Sequence, residues 1–371
     1  MPDIQPFLLE RYFARYEFSA PFLLSPSDCE SLHLNEVLAL ADAECAALWE
    51  NLSLGYTESS GHPLLREEIS RLYASLRPED VLVMAPEEGI YIAMQTLLRP
   101  GDEVIAIQPA YQSLQEIARS IGCAVIPWAL QPADGAWRLD FDTLERSFSP
   151  RTRLLVINFP HNPTGLLPAL AELDAILELA RRRGVHVFSD EMYRLLEYQP
   201  DGQLPAVCDR YELGISLSGM SKALALPGLR IGWLATRAPG LLQSWQTFKD
   251  YTTICSSAPS EILALIGLRA RRQILERSLA IIRANLETAG QFFARHAGRF
   301  TWFAPRAGSV AFPRWDGPGT SDELASQVLE KEGVMIVPGS LFSYPGRHFR
   351  VGLGRRNFPT ALERVELFLE G

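Results

Sequence analysis

The segment SLSGMSKALALPGLRIGW (216–233) is the most informative part of this chain. It contains one lysine, Lys222, with the small residues Gly219 and Ser221 before it and one arginine, Arg230, after it. A lysine that forms a Schiff base with an aldehyde must be accessible, and small neighbours leave that space. If the same aldehyde carries a phosphate, a guanidinium can bind that phosphate well. The planar guanidinium donates hydrogen bonds to two phosphate oxygens at once, and it stays protonated at neutral pH. In isolation, a lysine in such a place is more often a surface residue in a loop before a strand.

The bulk composition of the chain argues against several classes of protein. The chain has 371 residues, 47% hydrophobic and 21% charged, with a formal net charge of −9. This balance predicts a soluble globular protein of roughly two to three domains, and the absence of a basic block argues against nucleic acid as a partner. No uncharged apolar run reaches the ~18 residues needed to cross a bilayer, so no membrane partner is expected. Early charges such as Asp3 and Glu10 argue against a signal peptide.

The cysteines and histidines are scattered along the chain. Cys29, Cys45, Cys123, Cys208 and Cys255 are odd in number and never in C-x-x-C spacing. This pattern favours reduced thiols in the cytoplasm over a disulfide framework or a zinc site. The six histidines show no clustering either, so the sequence predicts no metal site.

Short apolar runs alternate with segments of helical periodicity through the middle of the chain. The first 35 residues are aromatic-rich, and Pro21 and Pro26 favour an irregular segment without a long helix. Strands are expected at 81–85, 103–111, 123–130, 153–160, 185–191, 214–219 and 230–236. Helices are expected at 64–76, 88–98, 111–122 and 169–184. This alternation predicts an α/β fold with a largely parallel sheet.

The pattern changes after about residue 255. A long helix is expected at 271–298, and short strands are expected at 300–315, 334–342 and 348–354. We therefore predict an N-terminal arm with part of a small domain (1–45), a large domain (46–255) and a small C-terminal α+β domain (256–371).

Polar side chains follow four of the predicted strands. Tyr111, Asn162, Asp190 and Lys222 each come at or just after the end of an apolar run. Ligands of parallel sheets bind beyond the carboxyl ends of the strands, so we expect these four side chains to share a site.

The segment from Gly219 to Gly232 matches, at every position, the lysine signature of a known enzyme family. Further motifs follow in that family's order: YTESSGHPLLREEIS (56–70), QPAYQSL (108–114), NFPHNPTG (158–165), FSDEMY (188–193) and HFRVGLG (348–354). The chain therefore resembles the class I/II aminotransferases, which use pyridoxal phosphate on the fold called type I. The resemblance covers roughly residues 50–355. It implies a large domain, whose mostly parallel sheet is sandwiched by helices, and a smaller α+β domain.

The resemblance implies roles for the catalytic residues. Lys222 would carry the cofactor and move the substrate's α-proton. Asp190 would keep the ring nitrogen protonated, so that the ring withdraws electrons. Tyr193 and Asn162 would bind the phenolic oxygen of the ring, and Tyr111 would stack on the ring face.

The resemblance also implies how the cofactor phosphate is held. Ser221, Arg230 and the backbone N–H groups of Glu87 and Glu88 would bind it within the chain. Tyr56 would reach the phosphate of a neighbouring subunit, which implies a homodimer with shared active sites.

The substrate's α-carboxylate would be held by Arg350, with Asn162 nearby. A bidentate clamp would orient the Cα–H bond perpendicular to the ring, as proton abstraction requires. A simpler alternative is that Arg350 is an exposed strand residue.

The chain departs from the family at the phosphate cup. Ala85, Pro86 and Glu87 stand where Gly-Ala-Ser is usual, and Gly219 replaces a common serine. Pro86 lacks an N–H group, and a carboxylate on Glu87 would be repelled by a phosphate. We predict that Glu87 turns to the substrate side chain and favours a cationic or hydrogen-bond-donating group there. The alternative is that Glu87 caps its helix or points to solvent. The segment 25–31 is expected to replace a glycine-containing N-terminal segment of the relatives.

The leading prediction for function is amino transfer from an α-amino acid to a 2-oxo acid by a ping-pong route. The second is another reaction of the same cofactor, such as β-elimination or replacement, or a cyclisation similar to that of a related enzyme of arginine-derived antibiotic pathways. The third is a non-catalytic, effector-binding regulator of the same fold. The acidic charge and the lack of a basic helix-turn-helix domain argue against this third alternative. The sequence does not identify the amino donor.

Overall fold

The computed structural model describes residues 4–199 and 202–371. Asp3 and the start of the predicted N-terminal arm lie outside the described residues. Within them, the helices are α1 (Leu8–Tyr16), α2 (Leu34–Leu38), α3 (Ala43–Glu50), α4 (Pro63–Ser70), α5 (Pro86–Leu97), α6 (Ser113–Ile121), α7 (Phe141–Ser147), α8 (Leu170–Arg183), α9 (Val207–Arg210), α10 (Leu241–Lys249), α11 (Ala258–Arg269), α12 (Arg271–Arg295), α13 (Ser321–Glu332) and α14 (Phe358–Glu370). No helix in this part of the chain is both long enough and apolar enough to cross a membrane.

The strands fall into one large sheet and several small ones. They are β1 (Phe22–Leu23), β2 (Val81–Met84), β3 (Glu103–Gln108), β4 (Ala124–Ala129), β5 (Gln131–Ala133), β6 (Ala136–Arg138), β7 (Thr152–Asn158), β8 (His186–Asp190), β9 (Gly214–Gly219), β10 (Gly232–Thr236), β11 (Phe300–Thr301), β12 (Val310–Ala311), β13 (Arg314–Trp315), β14 (Val334–Met335), β15 (Val337–Pro338) and β16 (Phe349–Gly352).

The large sheet has seven strands in the order β2-β10-β9-β8-β7-β3-β4. Neighbouring strands are parallel except at β10, which is antiparallel to both β2 and β9. Helices cover both faces, so most of these strands are almost completely buried. Burial on two faces explains why they appear in the sequence as continuous apolar runs. The prediction of an α/β fold with a largely parallel sheet is confirmed.

The side chains of β3 illustrate how the sheet divides the core. Val104 and Ala106 belong to the cluster that packs against α5, α6 and α10. Ile105 and Ile107 belong to the cluster on the other face, which packs against α8. This alternation follows from the two-residue repeat of a strand, which places successive side chains on opposite faces of the sheet.

The C-terminal part of the chain forms a second core around α12 and α14. Its small sheets pair β11 with β13 and place β16 between β12 and β15. β1 pairs in parallel with β14, which joins the N-terminal segment to this part of the chain. The domain boundaries given above (1–45, 46–255 and 256–371) stay a proposal, and the pairing of β1 with β14 supports it.

The irregular structure predicted for the first 35 residues is wrong over α1. Leu9 is 1% exposed, and Tyr12, Phe13 and Tyr16 pack against the core cluster below them. Helices of this length are marginal in water and are stabilised mainly by packing of an apolar face. Pro21 and Pro26 lie beyond the helix and therefore do not interrupt it.

Three other predicted elements differ from the structure in extent. The helix expected at 64–76 ends at Ser70, after which the chain forms turns. The segment 300–315 contains three two-residue strands, and 334–342 ends in a 3-10 helix (Gly339–Phe342). These segments are fixed by short pairings with distant strands, which the local apolar pattern does not specify.

Candidate active site

Four neighbouring parallel strands bring the predicted site residues together. Asp190 is the last residue of β8, and Lys222, Asn162 and Tyr111 lie in the loops that follow β9, β7 and β3. A cavity of about 590 Å³ lies at this edge of the sheet. Its lining includes Glu87, Tyr111, Asn162, Asp190, Tyr193, Ser221, Lys222, Arg230 and Arg350.

Lys222 is half-buried in the wall of the cavity. Its Nζ donates a hydrogen bond to Ser27 Oγ at 2.8 Å. Burial lowers the pKa of Lys222, and Arg350 acts in the same direction, whereas Asp28 and Asp190 oppose the shift. A lysine whose charged form is disfavoured can supply the neutral amine that attacks a carbonyl.

The other lysines of the chain are engaged elsewhere. The sequence contains three lysines. Lys249 donates to the carbonyl oxygens of Ser59 at 2.7 Å and Ile254 at 2.9 Å, and Lys331 lies 5.3 Å from the ring centroid of Phe368. Among the cavity residues that the structure describes, Lys222 is therefore the candidate nucleophile.

Asp190 and Tyr193 are polar groups buried in the same cavity. Asp190 is 7% exposed, and its Oδ1 accepts a hydrogen bond from the Met192 N–H at 3.1 Å. Burial raises the pKa of Asp190 to about 6. The Tyr193 hydroxyl is buried and has no hydrogen-bond partner within the described residues. These two groups suit a ligand that carries both a basic nitrogen and an oxygen acceptor.

Arg350 is buried without a counter-ion. It is 1% exposed, and its guanidinium donates to Ser25 O at 2.9 and 3.2 Å and to Asn162 Oδ1 at 3.2 Å. The rings of Phe342 and Phe13 lie 5.0 and 5.8 Å away, and no described carboxylate forms an ion pair with it. Burial lowers the pKa of Arg350. A buried cation among neutral acceptors favours binding of an anion from solution.

Tyr111 lies between the sheet and the N-terminal segment. Its hydroxyl donates to Glu10 Oε1 at 2.9 Å, and its ring lies 4.9 Å from the ring of Phe7. The half-buried ring lines the cavity, where a flat ligand could contact it.

The residues predicted to hold a phosphate lie around the start of α5. Ser221 and Arg230 line the cavity, and the N-cap residue Ala85 makes no side-chain cap, which leaves the N–H groups of Glu87 and Glu88 for a ligand. The Glu88 side chain turns away and accepts hydrogen bonds from Thr252 and Thr253.

The two departures from the family's phosphate cup are in contact with each other. A side chain at Gly219 would meet the ring of Pro86 at 3.2 Å, and one at Gly232 would meet it at 2.7 Å. A Cβ at Gly219 would also lie 2.9 Å from Gly232 Cα and 3.0 Å from Ile231 O, so the backbone leaves little room for a side chain there.

Glu87 lies in the cavity wall. Burial raises its pKa to about 7, and the negative charges of Glu10 and Asp190 act in the same direction. Glu87 also lines a neighbouring, mainly apolar cavity of about 420 Å³. A carboxyl that titrates near neutral pH can bind a cation when charged or donate a hydrogen bond when protonated.

Tyr56 is the predicted site residue that the structure keeps apart from the others. It is 91% exposed and does not reach the cavity of its own chain. A role for Tyr56 in catalysis therefore requires a second copy of the chain.

The N-terminal segment supplies cavity residues that the sequence analysis missed. Glu10, Phe13 and Glu17 lie on or next to α1, and Ser27 and Asp28 lie in the segment 25–31, which was expected to replace a glycine-containing N-terminal segment of the relatives. The spacing of Glu10, Phe13 and Glu17 is typical of one helix face, which is a signal that the sequence contained. Among the described residues, no group of three or more His, Cys, Asp and Glu side chains could hold a metal ion.

Comparison with known proteins identifies the family. The sequence model described as aminotransferase class I and II matches residues 24–364. The chain therefore belongs to the class I and II aminotransferases, enzymes of fold type I that depend on pyridoxal 5′-phosphate. The predictions of family, fold type and cofactor are confirmed.

Individual relatives fall into two kinds. The chain is 31% identical to capreomycidine synthase from Streptomyces vinaceus, over 94% of this chain and 88% of that protein. A pyridoxal-phosphate-dependent aminotransferase from Streptococcus suis superposes with a TM-score of 0.92 at 28% identity, over 99% of this chain and 98% of that one. The pyridoxal-phosphate-dependent cyclase OrfR superposes with a TM-score of 0.89 at 26% identity, over 99% and 97% of the two chains.

The cavity of this chain fits pyridoxal phosphate. The unpartnered Tyr193 hydroxyl, the buried Asp190 carboxyl and the uncapped start of α5 are groups that the ring oxygen, ring nitrogen and phosphate would satisfy. The fit is weaker at the phosphate end, because Pro86 offers no N–H group and Glu87 adds a carboxyl.

Proposed function

We propose that this protein transfers the amino group of an α-amino acid to a 2-oxo acid by a ping-pong route. The buried Arg350 guanidinium, which lacks a counter-ion and shares a cavity with Lys222, carries this proposal. An α-amino acid supplies the missing carboxylate and brings its amino group and Cα–H bond into the same space.

The side chains of this cavity have distinct roles in the proposed reaction. When bound, pyridoxal phosphate supplies the electron-withdrawing ring that stabilises negative charge developing at Cα. Asp190 keeps the ring nitrogen protonated through a charge-assisted hydrogen bond. Lys222 Nζ takes the α-proton and returns it, and Ser27 Oγ holds this amine in position. Tyr193 and Asn162 bind the ring oxygen, and Tyr111 packs on the ring.

The proposal assigns the phosphate to Ser221, Arg230 and the N–H groups of Glu87 and Glu88. Tyr56 of a second copy completes this end of the site, so the proposed functional unit is a homodimer. The high exposure of Tyr56 in the single chain supports this assignment, because a second chain can cover it.

The second candidate is a β-elimination, replacement or cyclisation of an amino acid by the same cofactor. The resemblance to capreomycidine synthase and to the cyclase OrfR, over nearly the whole chain in both comparisons, favours it. The non-catalytic alternative is set aside, because the relatives that match over nearly the whole chain are named as enzymes.

Single amino acids mixed with the holoenzyme, without a 2-oxo acid, separate the two candidates. Amino transfer converts the bound cofactor to its pyridoxamine form and releases one 2-oxo acid per site. An elimination or replacement leaves the cofactor spectrum unchanged at the end of the reaction and releases ammonia or a modified amino acid. Ammonia release without the pyridoxamine form, for every amino acid that reacts, would overturn the first candidate.

Borohydride reduction followed by peptide mapping tests the role of Lys222. We expect the cofactor label on Lys222 and none on Lys249 or Lys331, which serve as internal controls. Lys222→Ala should bind the cofactor without this covalent link and lose turnover by about a hundredfold or more, the usual contribution of a general base. A label on either of the other lysines would contradict the assignment.

A further inference from the structure

One face of α1 lines the cavity with two carboxylates and an aromatic ring. Glu10, Phe13 and Glu17 are spaced i, i+3 and i+7, so they project from the same side of the helix. All three line the cavity. The helix is anchored by the Leu8 N–H, which donates to Gln112 Oε1 at 2.9 Å, and by the Tyr12 hydroxyl, which donates to Ile336 O at 2.7 Å.

The carboxylates on this face have no cationic partner among the described residues. Glu10 accepts a hydrogen bond from the Tyr111 hydroxyl, and Glu17 forms neither a side-chain hydrogen bond nor an ion pair there. Asp28 differs, because Arg355 Nη2 lies 2.8 Å from its Oδ2 and offsets its charge. Burial raises the pKa of Glu17, and the charge of Asp28 acts in the same direction. Arg355 and Lys222 oppose this shift, but neither forms an ion pair with Glu17 within the described residues.

The proposed function gives Glu10 and Glu17 no oppositely charged partner on the cofactor or on the α-carboxylate end of the substrate. Asp190 pairs with the ring nitrogen, Arg230 with the phosphate and Arg350 with the substrate's α-carboxylate. Glu10 and Glu17 then remain without an ion-pair partner in a partly buried cavity, where a cation on the ligand would stabilise their charges.

The wall also has the features of a binding site rather than those of a solvated acidic patch. Glu10 and Glu17 are half-buried and line the same cavity of about 590 Å³ as Lys222 and Arg350. The Phe13 ring lies between the two carboxylates along α1. Carboxylates beside an aromatic face are the combination that binds guanidinium and ammonium groups.

We propose that Glu10, Phe13 and Glu17 form a subsite for a cationic side chain of the amino-acid substrate. Glu87, in the wall of the same cavity, adds a further carboxyl to it. The substrate class is an α-amino acid whose side chain ends in a guanidinium or an ammonium group. This inference rests on the proposed function, because it takes the α-carboxylate to be bound at Arg350.

Arginine and its neutral isostere citrulline test the subsite on the holoenzyme. Binding is measured by calorimetry, and conversion of the cofactor is measured by half-reaction absorbance. We expect arginine to bind more tightly and to react with a higher kcat/KM by about tenfold or more, the usual effect of a charge-assisted hydrogen bond. Lysine against norleucine repeats the comparison for an ammonium group.

Glu17→Gln isolates the charge at this subsite. It should remove most of the preference for arginine and weaken citrulline much less than arginine, since citrulline has no charge for the carboxylate to pair with. Glu17→Asp should retain part of the preference. Glu50→Gln is the matched control, because Glu50 is an exposed residue of α3 outside the cavity, and it should change neither ligand.

The outcomes separate the subsite from the proposed reaction. Equal affinity for arginine and citrulline, or an equal loss for both in Glu17→Gln, overturns the subsite, even if amino transfer is observed. A preference for arginine that depends on Glu17 supports the subsite, even if no amino acid yields the pyridoxamine form. In that last case the subsite stands and amino transfer fails.

Discussion

At the scale of single residues, burial rather than composition gives this site its chemistry. Asp190, Glu87 and Lys222 are ordinary ionisable groups whose charged forms are disfavoured by the low-dielectric cavity. A ligand that brings opposite charge recovers that cost on binding. The same groups on an open surface would have little tendency to select a ligand.

Asp190→Asn should leave a folded protein that still binds the cofactor but turns over about a hundredfold more slowly or worse, the typical loss when one preorganised electrostatic contact is removed. The amide cannot keep the ring nitrogen protonated, so charge developing at Cα loses its stabilisation. The measurement is kcat at saturating cofactor, with the cofactor spectrum as the check on loading. Turnover close to that of the unmodified protein would show that Asp190 is not the nitrogen partner.

At the scale of structural elements, the loop after β7 depends on a close contact with the C-terminal part of the chain. Gly165 has φ +68°, its N–H donates to His161 O at 2.7 Å, and its O accepts from the Arg306 N–H at 2.9 Å. A Cβ at this position would overlap Pro305 Cβ and lie 2.7 Å from Val310 O. A side chain at residue 165 would therefore strain the loop that presents Asn162.

Gly165→Ala should lower stability more than Gly184→Ala. Both glycines have left-handed backbones, so both substitutions cost about 1–2 kcal/mol of backbone strain. A Cβ at Gly184 meets nothing within 4 Å, whereas at Gly165 overpacking adds about 1–3 kcal/mol. Thermal melting of the two holoenzymes measures the difference. Gly165→Ala should also raise KM, because Asn162 Oδ1 accepts from Arg350. Equal melting temperatures would show that the loop adapts.

At the scale of the whole molecule, the single chain leaves large apolar and aromatic side chains exposed, as expected if a second copy of the chain binds there. Leu54, Tyr56 and Tyr251 are each more than four-fifths exposed, at 83%, 91% and 89%. A second chain that packed over these side chains would remove them from water, which is favourable for apolar surface. The apolar cavity shared by Phe7, Glu87 and Tyr91 lies next to the phosphate end of the site. We therefore expect the complete site to form in a dimer.

Mixed dimers test whether two chains share one site. Tyr56→Ala and Lys222→Ala should each be impaired alone, and subunit exchange between them should restore activity. In a mixed dimer, the intact Lys222 lies in the chain that receives the intact Tyr56 from its neighbour. Sedimentation gives the oligomeric state at the assay concentration. A fully active monomer, or no recovery on mixing, would contradict the shared site.

The sequence was sufficient to predict the central sheet, the family and the main residues of the cavity. The strands are continuous apolar runs because they are buried on both faces, and this pattern is local in the chain. Lys222, Asp190, Asn162 and Tyr111 could be placed in one site because the carboxyl ends of parallel strands meet at one edge of a sheet.

The tertiary structure was needed for everything that depends on contacts between distant segments. Lys222 meets Ser27 across 195 residues, and Tyr111 meets Glu10 across 101. The formation of α1, the carboxylates that it brings to the cavity and the lack of a counter-ion at Arg350 all follow from such contacts. Local periodicity reports which face of an element is buried, but it does not report what lies opposite that face. For this reason the sequence indicated the cofactor. The cavity residues that would select a substrate could be identified only from the tertiary structure.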